Sequence, residues 1–167
     1  MTDPTFNDVI AGNREFVESY HEPGMTGRAA KHLALITCMD SRIDPLRALG
    51  MAAGDMKILR NAGARVTDDV LRTLVLATYL LDVNRIIVMP HTDCRMAKST
   101  ETEVHETILD RTGVDTRSLE FRTIEDPLRT LAADVQRIRS FPFIRDDVVV
   151  AGGMYDVETG ELTMYDF

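Results

Sequence analysis

Features that mark membrane, secreted and disulfide-rich proteins are scarce in this sequence. Its 167 residues include two cysteines, no tryptophan and 6% aromatic side chains. The longest largely apolar stretch, residues 74–81, is far too short to span a bilayer. Acidic side chains near the N-terminus occupy positions where a secretory signal has a basic segment and then an apolar run. We therefore expect a cytoplasmic protein with no membrane partner, whose cysteines are free thiols, metal ligands or catalytic groups.

Positive charge is also in short supply, with 19 basic against 27 acidic residues and a formal net charge of −8. Binding to nucleic-acid phosphates needs a cationic face, so we expect no nucleic-acid partner. Hydrophobic residues make up 44% of the chain, and no repeat or low-complexity tract divides it. These features predict a single domain over residues 1–167, large enough to bury a core without disulfides. Within it we expect an N-terminal helical arm over residues 1–29 and a core over residues 30–167.

The arm is predicted from apolar residues that recur at helical spacing. Phe6, Val9 and Phe16 fall on one stripe of such a helix. Segment 21–29, with Pro23 and two glycines, then ends the helix. An apolar stripe of this kind is expected to pack on another apolar surface.

The rest of the chain alternates between short apolar runs and amphipathic segments. Runs typical of strands covered on both faces occupy residues 33–37, 56–59, 85–89 and 147–151. One helix is predicted to begin after Thr67, which serves as its N-cap. A second is predicted over residues 100–111 and stops at Gly113. A third is predicted to begin at Asp126 as N-cap, with Pro127 at its first position, and to end before Pro142. A closing hairpin is predicted between residues 154–157 and 162–165.

Strands separated by helices require right-handed crossover connections and therefore run mainly parallel. We expect an α/β fold whose central, mainly parallel sheet is flanked by helices, with the helical arm at one end of the chain and the hairpin at the other. In such folds, functional sites form beyond the carboxyl ends of the strands.

Both cysteines follow predicted strands at that edge of the sheet. Cys38 comes directly after the first strand, and His91 and Cys94 come just after the third. A histidine and a cysteine three positions apart can bind one ion where the backbone turns. Cys38 can be the third ligand of that ion if the first and third strands are neighbours in the sheet. Two thiolates and one imidazole suit Zn²⁺, and three protein ligands leave a fourth position for water or a carboxylate, as in catalytic zinc sites.

Two other interpretations of the cysteines stay open. A cysteine at a strand end is often a small buried hydrophobe, and a histidine and a cysteine at this spacing also arise by chance. The third option, a redox pair, is disfavoured because the two cysteines are far apart in the sequence and form no C-x-x-C motif.

Asp40 and Arg42 lie two and four residues beyond Cys38, close enough to pair with each other beside a metal. An ion pair on a solvated loop would contribute little. Beside a cation with an open position, however, it can control what occupies that position, because arginine holds a carboxylate in a fixed geometry. Gly63, which follows the second strand, can offer backbone N–H groups to an anionic substrate, although ordinary loop geometry requires glycine equally often.

Four segments together resemble the β-class carbonic anhydrases, especially the short bacterial form: CMDSR at 38–42, GDMKILRNAG at 54–63, PHTDC at 90–94 and GGMYDVETGEL at 152–162. The resemblance extends from about residue 33 to residue 162. It implies zinc on Cys38, His91 and Cys94, a catalytic pair formed by Asp40 and Arg42, and Asp40 as an alternative fourth ligand. The implied reaction is reversible hydration of carbon dioxide to bicarbonate and a proton, with the small substrate held in an apolar pocket beside the metal.

The resemblance also implies a homodimer or a dimer of dimers, in which the N-terminal arm packs on the partner subunit. Packing of the arm on its own domain is the alternative. Two rival functions remain. A hydrolase for carbonyl sulfide or carbon disulfide would have the same fold and ligands, and a catalytically silent homologue would keep zinc for structure or sense bicarbonate.

Two positions depart from the family pattern. Ala64 stands where the family often has a second glycine, which we treat as a mild change. Arg95 stands where the family usually has glycine after the second cysteine. We expect Arg95 to open a helical turn with ordinary negative φ and to leave its guanidinium beside the site. The alternative is that it points to solvent or pairs across the dimer.

Overall fold

The computed structural model describes residues 4–21 and 24–167. Residues 1–3 of the predicted arm, and Glu22 and Pro23 of the segment predicted to end it, lie outside the described residues. The helices are α1 (Asn7–Ser19), α2 (Pro45–Ala48), α3 (Asp68–Leu80), α4 (Glu101–Thr112) and α5 (Pro127–Arg139). The strands are β1 (Leu33–Cys38), β2 (Met56–Asn61), β3 (Arg85–Met89), β4 (Val149–Tyr155) and β5 (Leu162–Tyr165), and short 3₁₀ turns cover Pro4–Phe6, Ala62–Ala64 and Arg95–Ala97.

The five strands form one sheet in the order β2-β1-β3-β4-β5. The first four run parallel, and β5 pairs antiparallel with β4. Leu33 is level with Met56 on one side and with Arg85 on the other. Strand β1 is buried along its whole length, because it has a neighbour on each side and packing on each face. The predicted α/β fold with a mainly parallel sheet is confirmed.

The two faces of the sheet have different covers. One face packs against α3 and α5 through a core that includes Ile36, Leu74 and Val135. The other face packs under α2 and the chain around it, where Leu35 and Met89 contribute. The carboxyl ends of β1 and β3 therefore lie between two packed layers.

The helix boundaries follow the predicted capping residues. Thr67 caps α3 by accepting the backbone N–H of Val70, and Asp126 caps α5 by accepting two N–H groups of its first turn. Gly113 ends α4 in the left-handed conformation, at φ 72°. These three predictions are confirmed.

The prediction of separate strands over residues 147–151 and 154–157 was wrong, because a single strand, β4, runs through Val149–Tyr155 and includes part of both. Gly152 and Gly153 lie inside this strand. A side chain at Gly152 would place its Cβ 2.8 Å from Phe167 and 3.0 Å from Val135. These glycines therefore lie where neighbouring side chains closely approach the backbone of the strand. The closing hairpin is made by β4 and β5.

Helix α1 contributes no buried residue. Its apolar residues Val9, Phe16 and Val17 are each 57–62% exposed, so they do not pack on the domain that follows. Packing of this apolar stripe on its own domain, one of the two alternatives, is therefore not observed within the described residues 4–21. Within residues 4–21 and 24–167, the helices are all too short or too polar to cross a membrane.

Candidate metal centre

Three predicted ligands meet at the carboxyl edge of the sheet. Cys38 is the last residue of β1, and His91 and Cys94 lie just beyond the end of the neighbouring strand β3. All three side chains are buried, and their ligand atoms lie within 4.8 Å of one another. The parallel pairing of β1 with β3 thus brings together residues that are distant in the sequence.

The atoms of this group fit a zinc ion. His91 Nδ1 lies 2.7 Å from the carbonyl oxygen of Thr92, which can only accept, so Nδ1 donates and Nε2 is the atom left to bind. His91 Nε2 is buried and has no hydrogen-bond partner. The two cysteine sulfurs are 4.0 Å apart, while tetrahedral zinc with Zn–S bonds of about 2.3 Å separates its sulfurs by about 3.8 Å.

The two thiols are coupled by their contact. The hydrogen bond between the sulfurs lowers the pKa of Cys38 and raises that of Cys94. Burial lowers the pKa of His91, but the nearby thiol of Cys38 and its negative charge outweigh burial and raise this pKa overall. A buried pair of thiols that shares one proton loses that proton when a dication binds, because metal ligation requires thiolates.

Asp40 and Arg42 pair beside the three ligands, as the sequence predicts. Arg42 donates from Nε to Asp40 Oδ1 at 3.0 Å and from Nη2 to Oδ2 at 2.8 Å. Its backbone N–H donates to Oδ1 at 2.9 Å. These hydrogen bonds hold the pKa of Asp40 well below its usual range, and Oδ2 lies 3.8 Å from His91 Nε2. The carboxylate is therefore ionised, fixed in orientation and adjacent to the ligand group.

Asp93 is a site residue that the sequence argument missed. It occupies the far side of Arg42, accepting from Nη1 at 2.8 Å through its carboxylate and from Nη2 at 3.2 Å through its carbonyl. The ammonium group of Lys98 pairs with the same carboxylate. The position of Asp93 between His91 and Cys94 was a signal that could have identified it.

Arg60 was also missed, and no local signal points to it. It reaches across from the edge strand β2, donating from Nε to the carbonyl of Cys38 at 2.8 Å and from Nη2 to the carbonyl of Asp40 at 2.6 Å. Both bonds fix the backbone that carries a ligand and the adjacent carboxylate.

The turn after β2 differs from expectation at two residues. The N–H of Gly63 donates to Cys38 Sγ at 3.4 Å, so this donor is engaged with the thiol and is not free for an anion. Ala64 is buried and adopts φ 57°, a left-handed conformation that costs an alanine about 1 kcal/mol. A glycine at this position would avoid that strain, so the alanine is a larger change than the sequence suggests.

Arg95 adopts the predicted helical turn, in the 3₁₀ segment Arg95–Ala97. Its side chain is exposed and donates to Ser99 Oγ at 3.0 Å, which matches the solvent-facing alternative.

A small apolar pocket adjoins the ligands. Its lining includes Gly63, His91 and Cys94 together with Val88, Ile124 and Leu131, and its internal volume is about 10 Å³. A space of this size holds about one water-sized molecule. The predicted apolar pocket beside the metal ligands is therefore present.

Comparison with known proteins identifies the family of this arrangement. The family model for carbonic anhydrase matches residues 33–162. The chain belongs to the β-carbonic anhydrase family. Carbonic anhydrase activity is therefore supported by relatives as well as by the fold.

Relatives of this β-carbonic anhydrase family member include carbonic anhydrases and carbon disulfide hydrolases. Beta-carbonic anhydrase 1 of Mycobacterium bovis is 35% identical over 157 residues, covering 93% of this chain and 94% of that protein. A carbon disulfide hydrolase of Saccharolobus solfataricus is 31% identical over 156 residues, covering 79% of this chain and 76% of that protein. A crystal structure of carbonic anhydrase from Streptococcus mutans superposes with a TM-score of 0.93 at 34% identity, covering 99% of this chain and all of that one.

Proposed function

We propose that this protein catalyses the zinc-dependent, reversible hydration of carbon dioxide to bicarbonate and a proton. The observation that carries the proposal is the convergence of Cys38, His91 and Cys94 beside a carboxylate that Arg42 holds in place. In this assignment the three buried residues are the protein ligands of zinc. When bound, zinc supplies the Lewis acidity that lets a water molecule release a proton near neutral pH.

Asp40 positions the reacting water. Because Arg42 keeps this carboxyl ionised, Asp40 can only accept hydrogen bonds, and its Oδ2 lies 3.8 Å from His91 Nε2. Arg42 also restrains Asp40 from moving to the fourth position of the metal. The arginine thus keeps that position available to substrate.

The apolar pocket supports carbon dioxide as the substrate. Its walls near Cys94 are largely apolar, which favours a small uncharged solute over an ionic one. Sulfur is larger than oxygen, so carbonyl sulfide and carbon disulfide would require more space than carbon dioxide. The existence of carbon disulfide hydrolases among the relatives makes a direct comparison of these substrates necessary.

We also propose that the protein acts in the cytoplasm as a homodimer or a dimer of dimers. The exposed apolar stripe of α1 supports a second copy as its cover, because residues such as Phe16 are otherwise solvated. Replacing Phe16 with serine should lower the mass of the assembly in analytical ultracentrifugation. The matched control is Glu15→Ser on the opposite face of α1, and equal masses for both variants would contradict this assignment.

The proposed reaction is tested by metal analysis and three parallel assays. Purified protein should contain one zinc per chain and hydrate carbon dioxide much faster than it hydrolyses carbonyl sulfide or carbon disulfide. Faster turnover of a sulfur substrate would select the rival hydrolase. Zinc without turnover of any of the three would select the silent homologue.

A further inference from the structure

Arg65 and Asp134 form a buried ion pair close to the candidate metal centre, although neither residue touches the metal-binding atoms. Arg65 Nε donates to Asp134 Oδ2 at 2.7 Å, and the two side chains are only 18% and 6% exposed. Arg65 Nη1 donates in addition to the carbonyl of Arg122 at 3.0 Å. The pair therefore ties the chain after β2 to α5 and to the loop that leads into α5.

The backbone of Arg65 is held as firmly as its side chain. Its N–H donates to Asn61 Oδ1 at 2.8 Å, and its carbonyl accepts from Asn61 Nδ2 at 2.7 Å. These bonds close a turn whose inner residues, Gly63 and Ala64, both have positive φ. A turn that contains a strained alanine persists only when surrounding contacts determine its shape.

The same turn delivers the hydrogen bond of Gly63 to Cys38 Sγ. An N–H group that donates to a thiolate withdraws electron density from it and so modifies how strongly the sulfur donates to a metal. Any displacement of Arg65 would shift this N–H, because only Ala64 separates the two residues. The ion pair thus acts indirectly, through the turn, on the hydrogen bond from the Gly63 N–H to Cys38 Sγ.

Stability alone does not account for charges at this place. A buried ion pair is often no more stable than an apolar pair of similar volume, although it fixes geometry more tightly. Among the described residues that line the apolar pocket, Asp134 carries the only carboxylate. A leucine would suit that wall better, so the retained carboxylate points to a role through Arg65.

We propose that Arg65 and Asp134 are positioning residues that hold the Gly63 N–H against the sulfur of Cys38 and thereby set the donor strength of this ligand. The proposal rests on the metal assignment in the proposed function, since it requires a metal on Cys38. It adds two residues that act through the turn and make no contact with substrate.

The test uses cobalt as a spectroscopic replacement for zinc. The variant Arg65→Met/Asp134→Leu replaces the ion pair by an apolar pair, so it should fold with nearly unchanged urea stability. We expect its sulfur-to-cobalt charge-transfer band to move to longer wavelength, because the thiolate loses a hydrogen bond. Its cobalt affinity should also change, by about tenfold, because the donor strength of one ligand has changed.

The matched control is Arg137→Gln/Asp68→Asn, which removes another ion pair of α5 but leaves the turn intact. Its band and cobalt affinity should equal those of the unmodified protein. A folded Arg65→Met/Asp134→Leu variant with an unmoved band and unchanged affinity would overturn the proposal.

A second variant covers the case in which the apolar pair does not fold. Arg65→Lys keeps the charge but cannot donate to Asp134 and to the Arg122 carbonyl with one planar group. It should show a smaller shift in the same direction, and an unmoved band in this variant would also overturn the proposal.

The same samples distinguish a failure of the proposed function from a failure of the positioning proposal. Cobalt bound through Cys38 without carbon dioxide hydration contradicts the proposed reaction but leaves the band shift as a valid test of the positioning pair. An unmoved band in an active enzyme contradicts only the positioning pair.

Discussion

Two Asp-x-Arg segments of this chain have the same local geometry but different surroundings. In both, the arginine donates its backbone N–H and Nε to one carboxylate oxygen and its Nη2 to the other, for Asp40 with Arg42 and for Asp115 with Arg117. Both aspartates have a lowered pKa because of these hydrogen bonds. The geometry of the pair is thus a property of the local sequence.

The two pairs differ in the residues that surround them. Asp40 lies 3.8 Å from the unpartnered Nε2 of His91, and Arg42 is anchored on its far side by Asp93. Arg117 projects from a loop with 76% of its side chain exposed. The motif supplies an oriented carboxylate, whereas the sheet topology decides whether that carboxylate lies beside the three candidate metal ligands.

The largest expected effect comes from removing His91, the candidate ligand beside Asp40 that has no equivalent in this comparison. His91→Ala deletes a buried imidazole from a set of three, so we expect loss of zinc and a fall of carbon dioxide hydration to the uncatalysed rate. The matched control is His105→Ala, near the second pair, where Nδ1 lies 2.9 Å from Thr116 Oγ1. Full zinc content in His91→Ala, measured by atomic absorption, would contradict the metal assignment.

The next effect compares the two aspartates directly. Asp40→Asn keeps the shape of the side chain but removes the charge that orients water, and we expect kcat to fall by about 10²–10⁴-fold. Asp115→Asn makes the same change in the same local geometry and should leave kcat unaltered. Stopped-flow assays at neutral pH measure both, and equal activities would show that the position of Asp40 has no catalytic consequence.

A smaller effect is expected at Asp93, which has no counterpart beside Arg117 among the described ion pairs. Asp93→Asn removes the charge on the far side of Arg42 while the backbone carbonyl still accepts its hydrogen bond. Asparagine tolerates the positive φ of 56° at this position, so the fold should persist. We expect kcat to fall about tenfold.

The control for Asp93 is Lys98→Met, which removes the other cation on the same carboxylate and leaves Arg42 in place. It should reduce kcat less than Asp93→Asn does. The reverse order of effects would indicate that Asp93 serves Lys98 instead of Arg42.

The parts of the fold that could be predicted from the sequence depend on local chemistry. Thr67, Asp126 and Gly113 cap helices through contacts with backbone a few residues away, so their side-chain types suffice to locate the boundaries. The continuity of β4 through Gly152 and Gly153 was missed because these glycines are required by contacts with Val135 and Leu162, which lie outside the local segment.

The same limit applies to the site. The spacing of His91 and Cys94 and the pair after Cys38 could be recognised, because each lies within a short segment. Arg60 was missed because its acceptors are 20 and 22 residues away, and the pairing of Arg65 with Asp134 spans 69 residues. Nothing in a short window distinguishes such arginines from surface charges.

The smallest expected effect is the acid titration of Asp115. Side-chain and then backbone hydrogen bonds from Arg117 lower its pKa. A carboxyl whose pKa is lowered by folding stabilises the fold above its ordinary pKa, near 3.9, and this contribution is lost as the pH falls through the lower folded value. Because the pair is exposed, Arg117→Gln should lower the free energy of unfolding at neutral pH only slightly, while it returns the Asp115 pKa toward about 3.9. Carbon-13 NMR of the carboxyl group measures this shift. An unchanged pKa would mean that the shared Asp-x-Arg geometry does not govern ionisation, and the comparison between the two segments would fail at its first step.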